Sequence, residues 1–194
     1  MERKRDDGCV SAQKNTINVA IATWEWPAYF DPKLKAEGIR LNISKWRRPA
    51  PNTIPWDAKA AGLYMICTLS KHEAEQQGYS ESLMLDFEGN VAEGTSANIF
   101  FKDKNNELHT PTPDSFLNGI TRQAVIELAK SKNIKVHERK ISPDELGNFD
   151  GCFLTGTAAE ITPVASIADH KYKICDVILG LSLIHISEPT RRCT

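Results

Sequence analysis

The sequence lacks an excess of charge of either sign. Its 194 residues carry 24 Lys and Arg against 25 Asp and Glu, a formal net charge of -1. That balance leaves no electrostatic footprint for nucleic acid or for an acidic membrane surface. Cysteine is sparse and scattered. The five residues Cys9, Cys67, Cys152, Cys175 and Cys193 form no C-x-x-C pair and no Cys/His cluster. A disulfide framework is therefore not expected, no metal site is expected, and a reducing, cytoplasmic setting fits best. No apolar run reaches the ~18 residues of a membrane-spanning helix. The opening MERKRDDG lacks the apolar stretch of a signal peptide. There is no internal repeat, and no G-x-S-x-G, P-loop or dinucleotide fingerprint supplies a ready chemistry. What is present, 41% hydrophobic and 25% charged residues, suits a soluble globular chain with room for one real core or two small ones.

Strand and helix signals alternate along the chain. INVAIATWEW (17–26) is β-branched and aromatic and reads as a strand. A turn at Asp31-Pro32 leads to a short polar helix near 32–37. GIRLNISKW (38–46) sets Ile39, Leu41 and Ile43 against Arg40, Asn42 and Ser44, the period of a strand. The proline-rich RRPAPNTIP (47–55) is loop. Pro55 and Asp57 suit a helix start, and Ala61, Tyr64, Met65, Thr68 and Leu69 recur at helical spacing as its expected inner face, with Gly78 ending it. Segments 81–87, 91–95, 98–103 and 107–111 read as a β-meander. Residues 118–133 read as a helix with Ile120, Ala124, Val125 and Leu128 on one face. Residues 134–141 are a strand, 142–146 a single turn capped by Ser142 with Pro143 following, 152–164 two strands around a turn, and 167–174 a last strand. The pattern predicts a mixed α/β domain.

Four short windows could carry chemistry. IPWDAKAAGLYM (54–65) places Lys59 among Ala58, Ala60, Ala61 and Gly62. A lysine in a small apolar window is neutral, paired or covalently used, or else it lies on the wet face of its helix. NVAEGTSANIFF (90–101) follows Glu93 with small residues that let a bulky group approach a carboxylate; an edge-strand glutamate before a tight turn is the plain alternative. LNGITRQAV (117–125) opens a helix at Gly119, Ile120 and Thr121, an anion site or an ordinary cap. LTGTAAEITPV (154–164) offers a second turn of small residues, or simply a hairpin corner. Together they match one need: an amine for an aldehyde, a carboxylate for a pyridinium nitrogen, and two turns for a phosphate and a carboxylate. That is the need of pyridoxal 5'-phosphate.

With these residues in view, the sequence resembles the branched-chain-amino-acid aminotransferases, which are fold-type IV pyridoxal phosphate enzymes. The resemblance rests on WRRPAPNTIPWDAKAAGLY (46–64), GNVAEGTSANIFF (89–101), LNGITRQAVIELA (117–129) and TGTAAEITPV (155–164), in order. It implies an α/β large domain with a mixed sheet, or pseudo-barrel, and flanking helices. It implies Lys59 as cofactor lysine and proton shuttle, Glu93 at the pyridine nitrogen, and Tyr64 near the phenolic oxygen. Ile120, Thr121 and Thr157 would hold the phosphate, Thr157 and Ala158 the substrate carboxylate, and Trp26 and Tyr29 the side-chain pocket. The implied reaction moves the amino group of Leu, Ile or Val to 2-oxoglutarate, with amino acids and 2-oxo acids as partners and a homo-oligomer as the full enzyme. A D-amino acid aminotransferase, a 4-amino-4-deoxychorismate lyase of the same fold, and an inactive fragment are the alternatives. The resemblance further implies a charged lead over 1–16, the cofactor-binding domain over 17–180, and a missing N-terminal small domain that would supply a phosphate-binding arginine. A C-terminal helix of the family is also expected to be missing. LSLIHISEPTRRCT (181–194) resembles a translated sequencing adapter and is read as read-through.

Overall fold

The period-two alternation near residue 40 builds the central strand. In a computed structural model of the chain, which describes residues 16–25, 27–174 and 180, β1 (Ile39–Arg47) buries Ile39 and Leu41. The alternation breaks at Asn42, which is buried, and Ile43, which is exposed. The reason is the helix laid across this face. The Asn42 amide donates to Gln77 Oε1 at 2.9 Å, and the Ser44 and Ser70 hydroxyls pair at 2.6 Å. The Asn42 amide nitrogen and the Ser44 hydroxyl are thus covered with partners supplied, while Asn42 Oδ1 is buried without one.

That helix is α2 (Met65–Gln76), and it carries the chain from β1 to β2 (Glu81–Leu85), which runs parallel beside it. A parallel neighbour requires such a crossover. Gly78 ends α2 with a φ of 80°, while Tyr79 N–H reaches Ala74 O at 2.9 Å and Gly78 N–H reaches Glu75 O at 3.0 Å. This is the Schellman closure that only a residue tolerant of left-handed φ makes cheaply. A second crossover, α3 (Ile120–Ser131), joins β5 (Leu108–Thr110) to the parallel β6 (Val136–Glu138). The remaining strands are β3 (Val91–Gly94), β4 (Asn98–Lys102), β7 (Gly151–Gly156), β8 (Glu160–Ile167) and β9 (His170–Lys171). The described strands form one sheet in the order β3-β2-β1-β8-β7-β4-β5-β6, with β9 on β8. α1 (Pro32–Glu37) precedes β1 and is capped by the Asp31 side chain.

β4 is buried along its whole length and feeds two cores. Phe101 lies in one with Phe149, Leu146 and Tyr172, and Phe100 in the other with Phe153, Val125 and Ala129 beneath α3. Ser142 begins the 3-10 turn Pro143–Asn148 with a complete capping box through Glu145, as S-x-x-E spacing predicts.

Several expectations are corrected. Residues 16–25 form no strand, and Ile17, Val19 and Ile21 stand 88–93% exposed; no described strand runs beside them to pair with their backbone. The helix expected from Pro55 begins only with a 3-10 turn at Ala61–Tyr64, because residues 55–58 close their own turn through Ala58 N–H to Pro55 O. Its inner face is Leu63, Cys67, Ser70 and Ala74, whereas Tyr64, Met65 and Leu69 face outward. Ile120 is likewise exposed, and α3 packs through Arg122, Val125, Ile126 and Ala129. β3 and β4 are not ladder neighbours: β3 pairs with β2, and β4 with β5 and β7. The turn between them redirects the chain, held by Glu81, which accepts from Thr95 N–H at 3.3 Å, from the Thr95 hydroxyl and from Ser96 Oγ at 3.2 Å. The strand expected over 134–141 shrinks to β6, and that over 167–174 to β9. Residues 1–15 and 181–194, with the readings made for them, lie outside the described residues, as does Trp26.

Phe101 is fully buried, stacked on Phe149 at 4.9 Å and tilted against Tyr172 at 6.2 Å. Phe101→Ala is expected to cost about 3–5 kcal/mol in urea unfolding, while Met65→Ala stays within about 0.5 kcal/mol. Equal losses would mean that the outer face of α2 is packed after all.

Candidate active site

A cavity of about 310 Å³ opens where the 3-10 turn, the end of β3, the start of β4, the first turn of α3 and the turn after β7 meet. Lys59, Tyr64, Glu93, Ile120, Thr121 and Thr157 all line it. These residues come from four sequence windows up to 98 positions apart, and the sheet brings them to one place. Lys59 is exposed and stands on the loop before the 3-10 turn, not within a buried helix as its small neighbours suggest. Of its small neighbours, Ala58 lines the cavity with it.

Glu93, on β3, is only 8% exposed. Burial drives its carboxyl up to about 8, and the second buried carboxylate, Glu81, adds to the rise; the Arg48 guanidinium opposes it. Arg48 Nε sits 3.6 Å from Glu93 Oε1 and is shared with Ser115 O at 3.4 Å, while Nη1 contacts Cys67 Sγ at 3.4 Å. The Asn98 amide donates to Glu93 Oε2 at 3.2 Å. The pairing is partial, so the cavity wall favours a cation or proton beside this carboxyl. Burial, then Glu93 and Cys67, push the Tyr64 hydroxyl above its ordinary range.

A second wall favours an anion. Gly119 caps α3, whose first-turn N–H groups have no partner within the helix. Ile120 and Thr121 are its first two residues, and the Thr121 hydroxyl lies in the cavity lining. Arg122, 1% exposed, fixes this helix start by donating to Asn118 Oδ1 at 2.9 Å, Pro111 O at 3.0 Å and Glu138 Oε2 at 2.8 Å. Gly156 and Thr157 complete that wall from the end of β7. The Thr155 hydroxyl beside them is buried without a hydrogen-bond partner, an unmet donor in the cavity lining.

Two predicted residues do not reach the cavity. Tyr29 packs edge-on against Phe30 at 4.8 Å and is 37% exposed. Ala158 is exposed in the turn beside Thr157 and is not among the described lining residues. Sequence reasoning missed Arg48, Thr155 and the structural role of Asn98. Arg48 was legible only as one of two arginines before a proline-rich loop, with nothing to mark it as the buried one.

Residues 1–167 match the model of the amino-transferase class IV family, and the chain belongs to that family. The fold is the fold-type IV aminotransferase fold. Among particular relatives, it is 40% identical over 179 residues to the probable branched-chain-amino-acid aminotransferase of Rickettsia bellii, covering 88% of this chain and 62% of that protein. The branched-chain aminotransferase of Thermoproteus uzoniensis, solved with norvaline, matches with a TM-score of 0.74 at 36% identity, over 77% of this chain and 50% of that one. An aminotransferase from Brucella abortus, solved with the cofactor PLP, matches with a TM-score of 0.75 at 31% identity, over 84% of this chain and 56% of that one. The chain spans about half the length of most of the curated relatives it matches.

The raised Glu93 carboxyl has a measurable consequence. Folded protein holds this proton up to about pH 8, while the unfolded chain releases it near the ordinary value of about 4.3. The folded state therefore binds more protons across this window, and stability falls as pH rises through it. Thermal melts of ligand-free protein between pH 5 and about 8 are expected to show this decline, and Glu93→Gln is expected to flatten it. An unchanged slope in Glu93→Gln would place the titration elsewhere.

Proposed function

We propose that this chain carries the pyridoxal 5'-phosphate site of a branched-chain-amino-acid aminotransferase, which moves the amino group of L-leucine, L-isoleucine or L-valine to 2-oxoglutarate and yields a 2-oxo acid and L-glutamate. The observation that carries this reading is one cavity with an amine at its edge, a buried carboxyl on one wall and a helix N-terminus on the other. The residues fit the cofactor. The unpartnered Thr155 hydroxyl and the open first turn of α3 are donors in search of an anion such as phosphate. The partly paired Glu93 suits a protonated ring nitrogen.

When bound, the cofactor supplies an aldehyde that captures an amine and a ring that accepts the electron pair left by the breaking Cα–H bond. Lys59 Nζ would hold that aldehyde and would carry the α-proton as base and then acid. Glu93 holds the proton at the ring nitrogen. Tyr64 donates toward the phenolic oxygen. Thr121, Thr157 and the N–H groups opening α3 would hold the phosphate, and the Thr157 N–H would meet the substrate carboxylate. The aliphatic norvaline seen with the Thermoproteus relative supports an aliphatic amino acid as substrate.

A homo-oligomer is supported by the outward apolar face of α2, where Met65 is 67% and Leu69 43% exposed. A reducing, cytoplasmic setting is supported by the free buried thiols Cys67 and Cys152. No described helix is long and apolar enough to cross a membrane.

The half-reaction of the full protein with L-leucine, followed by appearance of the 2-oxo acid, is expected to proceed. It should stop in Lys59→Ala and be far slower with D-leucine. Faster turnover of the D-enantiomer, or turnover without Lys59, would reverse the reading.

A further inference from the structure

We propose that Asn98 is a positioning residue that ties the Glu93 carboxyl to the first turn of α3, so that the two ends of the cavity are held at one separation. The proposal rests on the functional reading above for the meaning of those two ends, and on geometry for the tie itself. Asn98 opens β4, directly after the turn that follows Glu93, and is 4% exposed. Its Nδ2 donates to Glu93 Oε2 at 3.2 Å and to Leu117 O at 2.9 Å, and its Oδ1 accepts from Gly119 N–H at 3.1 Å. The orientation of the amide is settled by its partners, because a backbone N–H only donates and a carbonyl only accepts. One short side chain therefore spans the acid wall and the anion wall, with every hydrogen-bonding direction but one in use.

Gly119 supports the same conclusion independently. Its φ of -62° is open to any residue, so backbone freedom is not why glycine stands there. A Cβ at this position would lie 2.4 Å from Asn98 Oδ1. The amide cannot retreat without losing Leu117 O or Glu93, so the helix cap needs glycine because Asn98 must approach it. The other groups around Glu93 are Arg48 from the end of β1, Tyr64 and Cys67 from the 3-10 turn and α2, and Glu81 from β2. None of them contacts the start of α3 by a hydrogen bond among the described residues, which leaves Asn98 as the direct connection between the two walls.

The test follows the Glu93 carboxyl in ligand-free protein by carbon NMR of labelled glutamate, in Asn98→Ala, Gly119→Ala and the double variant. Loss of a hydrogen bond to a charged group is expected to raise the titration midpoint by about one unit in each single variant. The double variant should rise no further, because both changes break the same tie. Asn98→Asp keeps the size and the acceptor for Gly119 while removing the donor, and is expected to raise the midpoint in a normally folded protein. Affinity for pyridoxal 5'-phosphate should fall about tenfold in each variant. A midpoint unmoved by Gly119→Ala, or additive effects in the double variant, would overturn the tie. A linked midpoint with unchanged cofactor affinity would uphold the tie and instead remove the cofactor reading on which its purpose rests.

Discussion

A buried carboxyl with an incomplete partner is the constraint on which this site depends. Burying an unpaired carboxylate costs several kcal/mol, and a protein meets that cost by pairing, by protonation or by a ligand. At Glu93 the pairing is partial: Arg48 stands at 3.6 Å and divides itself among three acceptors. The carboxyl consequently holds its proton to about pH 8. A protonated ring nitrogen would answer that demand from the cavity side. It would share one proton with a group already poised to keep or release it near neutral pH.

The sheet exists, from the site's point of view, to hold this carboxyl opposite a helix start. Two parallel crossovers, α2 between β1 and β2 and α3 between β5 and β6, deliver Tyr64 and Thr121 to the same opening. The turn between β3 and β4 does the joining. Glu81 grips Thr95 and Ser96 from below, and Asn98 meets Glu93 and Gly119 from the other side. Polar groups that are fully connected in a dry interior fix one geometry more firmly than apolar packing alone. That rigidity is what a group transfer needs, since misplacement of reacting atoms is costly in rate.

Local signals were legible wherever a short segment sets its own geometry. The Ser142 cap and the Gly78 helix end could be read because their partners lie within a few residues. Of the six named residues that line the cavity, Lys59 and Glu93 stood out as charges among small residues, Ile120, Thr121 and Thr157 lay in two turns open to an anion, and Tyr64 came from the family resemblance alone. Faces decided by distant partners were not. Tyr64, Met65 and Leu69 have helical spacing, yet α2 packs through Cys67, Ser70 and Ala74, since the polar Asn42 and Ser44 of β1 require polar or small neighbours above them. The apolar run at 17–25 looks like a strand, but no described strand forms a ladder with it. Arg48 was hidden for the same reason: its role is set by Glu93, which is 45 positions away.

The account stands or falls on which lysine the cofactor takes. Incubation with pyridoxal 5'-phosphate, reduction with borohydride and peptide mapping would mark it directly. The label is predicted on Lys59, the one lysine that lines the described cavity. A label confined to any other lysine would contradict the account, because no other described lysine lines the cavity that Glu93 and the opening of α3 share.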